Sequence, residues 1–213
     1  FFIGTPSLIY SENFNDGVGQ WITSGDWGLT NNPSYGAFAL TDSPSGDYGA
    51  EQTTTAVLNE QFDFSFLVNP YVSFSARWEI EDGFDFVRFE ALTPDNGWVS
   101  LEGMHTVLGN GVTVQPLGEP GYDGDQLSWV GEKIFLDQLN GQIPTAFRFI
   151  QNSDELYEGD GFTVDNFMLM GYMQGAYGDF FPDGSINISD ILGLADLISE
   201  SSDPSNYVSM FCD

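Results

Sequence analysis

The sequence predicts an all-β fold, a two-sheet antiparallel jelly-roll sandwich, with a small loop-and-helix appendage at its C-terminal end. Three observations predict it. Apolar and polar residues alternate with period two from Tyr71 to Leu92, the signature of strands with one buried face. Similar short segments, about ten of them, recur between Gly-, Pro-, Asn- and Asp-rich turns up to residue 172. The one convincing helical periodicity, Ile191, Leu194, Ala195 and Ile198, comes only after them.

Taken in order, residues 1–9 contain Gly4 and Pro6 and are expected to be a linker into a sandwich spanning 10–172. Ile9 to Phe14 is the first strand, closed by Asn15-Asp16-Gly17. Gln20 to Thr23 and Asp26 to Thr30 are short strands carrying Trp21 and Trp27. Ala37 to Thr41 ends at the turn from Asp42 to Gly46, Glu51 to Leu58 is Thr-rich and extended, and Phe62 to Phe66 alternates Phe with polar residues. Tyr71 to Leu92 is expected to form one antiparallel hairpin through Asp82-Gly83, because Gly accepts positive φ without steric cost. Trp98 to Leu101, Leu127 to Leu136, Ala146 to Gln151 and Gly161 to Met170 complete the strands. Between Met104 and Gln126 the pattern dissolves into a Gly- and Pro-rich stretch, either a functional loop or one holding strands too short to show a period. Residues 173–178 read as a linker and 179–213 as the appendage. Trp21, Trp27, Trp78 and Trp129 fall in strand patterns and are expected in the core, whereas Trp98, beside Gly97, is left unassigned.

Charge excludes whole classes of partner. There are 32 acids against 4 bases, a formal net charge of −28. Such a field repels nucleic acid and anionic membranes, and high salt or bound cations would screen it. A marine or salt-loving source and an extracellular setting follow as expectations. No run of about eighteen apolar residues is present to span a membrane. The opening FFIGTPSLIY has no leader pattern, so the chain is expected to be a piece of a longer precursor. A single cysteine, Cys212, allows no internal disulfide.

The appendage carries the most specific spacing. Asp179, Asp183, Gly184, Asn187 and Asp190 stand at positions 1, 5, 6, 9 and 12 of a twelve-residue calcium loop, with the Ser185 carbonyl at position 7. An amphipathic helix follows at once, and the whole resembles a dockerin type I unit. Phe181 stands at position 3, where an oxygen ligand is expected, which implies weaker binding. An acidic turn capping a helix without metal would show the same residues. Asp213 falls where a second loop would begin, so half a dockerin is expected, with a cohesin-like or cell-surface partner implied by the resemblance.

The larger unit also resembles a family. YSENFNDGVGQW, WGLT, ALTDSPSGDY, NPYVSFSARWEIEDGFDFVRFEAL, GEPGYDGDQLSWVGEKIFLD and FRFIQNSDELYEGDGFTVDNFML follow one another between residues 6 and 172. They look like the MAM-like jelly-roll module that follows the catalytic domain of secreted bacterial zinc carboxypeptidases and of immune-inhibitor-A-type metallopeptidases. In such modules a structural calcium ties the first strand to the last. The matching positions are Glu12 or Asn15, Asp42 and Asp165, and the family's usual acid is replaced by Asn15. The same residues also read as a capped turn at Asp42 and a solvated Asp165.

Catalysis finds no support, since zinc peptidase chemistry needs paired His and Glu ligands and the single histidine is His105. The expected role is therefore a non-catalytic, calcium-stabilised accessory region of a secreted metallopeptidase, serving as spacer, adhesion or docking module beside the parent catalytic domain. The alternatives are a carbohydrate-binding module with a glycan partner, and a self-associating subunit of an extracellular assembly bridged by Ca2+.

Overall fold

The computed structural model describes residues 6–173 and 188–200. Its strands are β1 (Ser7–Glu12), β2 (Trp21–Ser24), β3 (Gly28–Thr30), β4 (Ala39–Thr41), β5 (Thr53–Leu58), β6 (Leu67–Ile80) and β7 (Phe86–Thr93). They continue with β8 (Gly97–Ser100), β9 (Val107–Leu108), β10 (Pro120–Gly121), β11 (Gly124–Phe135), β12 (Ala146–Asn152) and β13 (Gly161–Met173). One sheet has the order β11-β6-β13-β4-β3, with β1 also pairing β13. The other has the order β2-β5-β12-β7-β8, and every pairing in both is antiparallel. This is the expected sandwich of alternating strands. The helix α1 (Ile188–Glu200) follows.

The alternation buries one face of each sheet. Val72, Phe74, Ala76, Trp78 and Ile80 point inward from β6, and Val87, Phe89 and Ala91 from β7. Aromatic rings fill the space between the sheets. Phe74 lies 5.7 Å from Phe89 and 5.3 Å from Phe149, Trp21 stacks on Phe149 at 5.6 Å, and Phe167 stacks on Phe74 at 6.2 Å. Each such ring contributes roughly 1.5–3 kcal/mol by leaving water, and tilted or stacked pairs add to that.

Several expectations are corrected. The stretch Tyr71 to Leu92 is not one hairpin, because β6 belongs to the first sheet and β7 to the second. The five residues between them turn the chain across the core, so the two inner faces meet each other and do not lie side by side. Phe84 and Asp85 both donate their N–H to the Glu81 carbonyl, and the buried Asp85 carboxylate anchors the corner by accepting from Tyr48 Oη and Asp154 N–H, each at 2.6 Å. Phe62 to Phe66 forms no strand; Phe62 caps the core instead, its ring 5.5 Å from Tyr10. Residues expected in a linker pair as strand, Ser7 with Gly171 and Leu8 with Met170.

The Met104–Gln126 stretch holds the small β9–β10 pair and then bridges back to β7, where Tyr122 and Val87 exchange backbone hydrogen bonds. Glu132, on β11, ties this excursion down. Its Oε1 accepts from Met104 N at 2.6 Å and Lys133 N at 2.7 Å, and its Oε2 accepts from His105 N and Tyr122 Oη, both at 3.1 Å.

Candidate functional site

The predicted metal ligands divide into two sets. Asp179, Asp183, Ser185 and Asn187 lie outside the described residues, while Asp190 is buried in the first turn of α1. Glu12, Asn15, Asp42 and Asp165 are all in place, and each has an oxygen that accepts from a backbone N–H. Glu12 Oε1 accepts from Phe14 N at 2.8 Å. Asn15 Oδ1 accepts from Ala37 N and Phe38 N, at 2.5 and 3.2 Å. Asp165, fully buried, accepts from Ser34 N, Ser34 Oγ and Tyr35 N at 2.9, 2.8 and 3.1 Å. Asn15 and Asp165 thus grip the same 34–38 segment from two sides. Asp42 stands apart, with Oδ1 accepting from Phe162 N at 2.9 Å and Oδ2 buried without a partner. Burial pushes its pKa up to about 7. Glu12, Asp42 and Asp165 are not among the described acids whose oxygens lie within 4.8 Å of one another.

Carboxylates do converge elsewhere, at a corner that sequence spacing gave no means to find. Glu81, Asp85 and Asp154 each place an oxygen within 4.8 Å of the others. Tyr48 Oη closes the group, donating to Asp85 and accepting from Glu81 N at 3.2 Å. Burial raises the Asp85 carboxyl above the usual carboxylate range, and the neighbouring Asp154 and Glu158 charges add to the rise. Glu81 is raised by burial and by Asp154, Asp85 and Glu158. An open cleft of about 520 Å³ adjoins it, lined by Glu79, Glu81, Asp82, Asp125, Tyr157 and Glu158. A shared proton or a hard cation would relieve the repulsion within such a group.

The outer face of the second sheet has the opposite character. Register places Ala146, Leu92 and Trp98 in one row, and Ile22, Val57, Arg148, Glu90 and Ser100 in the next. Ser24, Thr55, Ile150 and Arg88 form a third row. Glu90 is 2% exposed and sits between two guanidinium groups. Arg88 Nη1 meets its Oε1 at 2.7 Å, and Arg148 Nε and Nη2 meet its Oε2 at 2.6 and 2.5 Å. The Arg148 guanidinium also lies over the Trp98 ring at 4.2 Å, and Arg88 Nη2 donates to Asn152 Oδ1 at 3.3 Å. Trp98 stays partly exposed, so the Trp beside a Gly turn was the one sequence signal for this face. Of the other tryptophans, Trp21, Trp27 and Trp78 are core, and Trp129 is half-buried on the outside of the first sheet, 5.7 Å from Arg77.

No protein-family model and no curated protein matches the chain. Solved structures do show likeness. The K3 cleaved adhesin domain of Lys-gingipain from Porphyromonas gingivalis w83 is 12% identical over 76% of this chain and 98% of its own, with a TM-score of 0.47. The CBM22-1 xylan-binding domain of Paenibacillus barcinonensis Xyn10C is 13% identical over 80% and 97%, with a TM-score of 0.45. A non-crystalline-cellulose-specific module, CBM28, is 15% identical over 74% and 90%, also at 0.45. The ligands named for those domains are properties of those domains.

Proposed function

We propose that this chain is a non-catalytic carbohydrate-binding module and that its binding face is the outer side of the second sheet. The observation behind this reading is the Trp98–Arg148–Glu90–Arg88 cluster, which runs across three neighbouring rows. An indole face offers stacking to the apolar side of a sugar ring, while planar, pre-positioned guanidinium groups offer forked donors to its hydroxyls. Glu90 locks both forks from beneath, so little side-chain entropy remains to be lost on binding. Asn152, whose Nδ2 donates to Thr53 Oγ1 at 2.8 Å, and the Ser24–Thr55 hydroxyl pair extend the polar rack along the face. The test is a glycan array followed by calorimetry on wild type and Trp98→Ala. Binding that Trp98→Ala weakens at least tenfold is the expected result. Silence across neutral and acidic plant, algal and bacterial glycans, or binding indifferent to Trp98→Ala, would overturn the proposal.

Two finer parts rest on sequence alone. The ordered phrases between residues 6 and 172 support an accessory place beside a secreted zinc carboxypeptidase, which the precursor sequence tests directly. The spacing of Asp179, Asp183, Ser185, Asn187 and Asp190 supports a calcium ion in the appendage. Among the described residues no helix is long and apolar enough to cross a membrane.

A further inference from the structure

We infer that the glycan taken by this face carries oxyanions on its sugar rings, uronate carboxylates or sulfate esters, an inference that rests on the carbohydrate reading above. It comes from where the acids are missing. The chain holds 32 acidic residues and 4 basic ones, so a random patch of its surface is acidic. The positions on the side of the five strands away from the core are Ile22 and Ser24 on β2, Thr53, Thr55 and Val57 on β5, and Ala146, Arg148, Ile150 and Asn152 on β12, followed by Phe86, Arg88, Glu90 and Leu92 on β7 and Trp98 and Ser100 on β8, with Phe86, Glu90, Ser100, Ala146 and Ile150 buried and the rest forming the open part of the face. Glu90 is the one acid in that array, and it is buried beneath the two arginines. The outer face of the first sheet shows the contrast, with Glu79 and Asp125 directly paired and both exposed. Arg88 and Arg148 stand on this face, where no acid is exposed on the strands, whereas Arg77 and Lys133 share the outer side of the first sheet with exposed Glu79 and Asp125.

A neutral polysaccharide gives no reason for that clearance, because exposed Asp and Glu are good hydrogen-bond acceptors for sugar hydroxyls. An acidic one does, since each exposed carboxylate would repel it at contact. The arginine forks suit it chemically as well. A guanidinium presents five N–H donors that match carboxylate or sulfate oxygens two at a time. Glu90 engages one nitrogen of Arg88 and two of Arg148, and Asn152 engages a second of Arg88. Some Nη hydrogens of each fork are left uncommitted by these bonds. Trp98 stacks one sugar ring while the neighbouring arginines receive the charged substituent.

The test measures binding of the intact chain to polygalacturonate, a sulfated galactan, and an uncharged galactan at about 0.15 M salt, where the Debye length of about 8 Å screens the acidic body but not contacts. Arg88→Gln is the informative variant, because Glu90 keeps its two bonds to Arg148, and circular dichroism checks that it folds. Binding to at least one of the acidic polymers, tenfold or more tighter than to the uncharged galactan, and lost by tenfold or more in Arg88→Gln, is expected. Which acidic polymer binds separates the carboxylate source from the sulfate source. Equal or tighter binding of the uncharged galactan, or acidic binding unmoved by Arg88→Gln, overturns this inference and leaves the carbohydrate reading standing. No binding to any polymer overturns both.

Discussion

Replacing Asp42 by Asn should stabilise the protein at alkaline pH and remove a slope from its pH–stability curve. Asp42 is 2% exposed, accepts one N–H from Phe162, and leaves Oδ2 buried without a partner. Burial raises its pKa from 3.8 to about 7, with the Asp160 charge a minor contributor. A carboxyl whose folded pKa is raised holds its proton more tightly folded than unfolded. Its stabilising effect is complete below the unfolded pKa and is lost as pH climbs to about 7, above which stability is flat. The difference between about 7 and 3.8 is roughly three pH units, and at 1.36 kcal/mol per unit the loss is about 4 kcal/mol. Asn titrates nothing, keeps an acceptor for Phe162, and can turn its amide toward the neighbouring Ser43 hydroxyl. Urea denaturation of both proteins between pH 4 and pH 8.5 is the assay. Near pH 4 the curves should meet; at pH 8 the variant should lead by an amount up to that 4 kcal/mol. Parallel curves would refute the reasoning. So would an Asn variant weaker than wild type at pH 8 whose deficit chelation abolishes, because Asp42 would then be a cation ligand.

Glu132→Ala should cost about 2–4 kcal/mol in urea denaturation and expose the 104–118 segment to proteolysis, because Met104, His105 and Tyr122 lose their shared acceptor at once. Calcium should raise the melting temperature of the full chain in proportion to RT ln(1 + [L]/Kd), and EDTA should reverse it; an unchanged melting curve would count against the appendage loop.

Strand alternation was legible because burial imposes period two on a strand with one covered face, and β6 shows it residue by residue from Val72 to Ile80. The sheet assignment of those strands was not. Asp82-Gly83 signals a turn but does not say whether the next strand pairs back or crosses the core, and Asp85 decides that through Tyr48 and Asp154, partners 37 and 69 positions away. Phe62 misled for a related reason, since alternating Phe fits a strand equally well when the rings merely cap the core. The arginine face was hidden because Arg88, Glu90 and Arg148 read as ordinary polar-side residues until register laid β12 beside β7.

Composition suggested that an acid-saturated chain uses its carboxylates to capture cations, and the structure sorts them more finely. Asp165 and Glu132 are buried, and each accepts several N–H or O–H donors. Glu90 is satisfied by two guanidinium groups. These acids fasten loops and a binding face to the sheets. Glu81, Asp85 and Asp154 differ because they face one another, and donors reach only part of the group. Whether a carboxylate meets a donor or another carboxylate therefore decides which acids answer to pH or cations and which simply hold the fold. On that criterion the described sandwich should respond to pH at Asp42 and to pH and cations at the Glu81 corner.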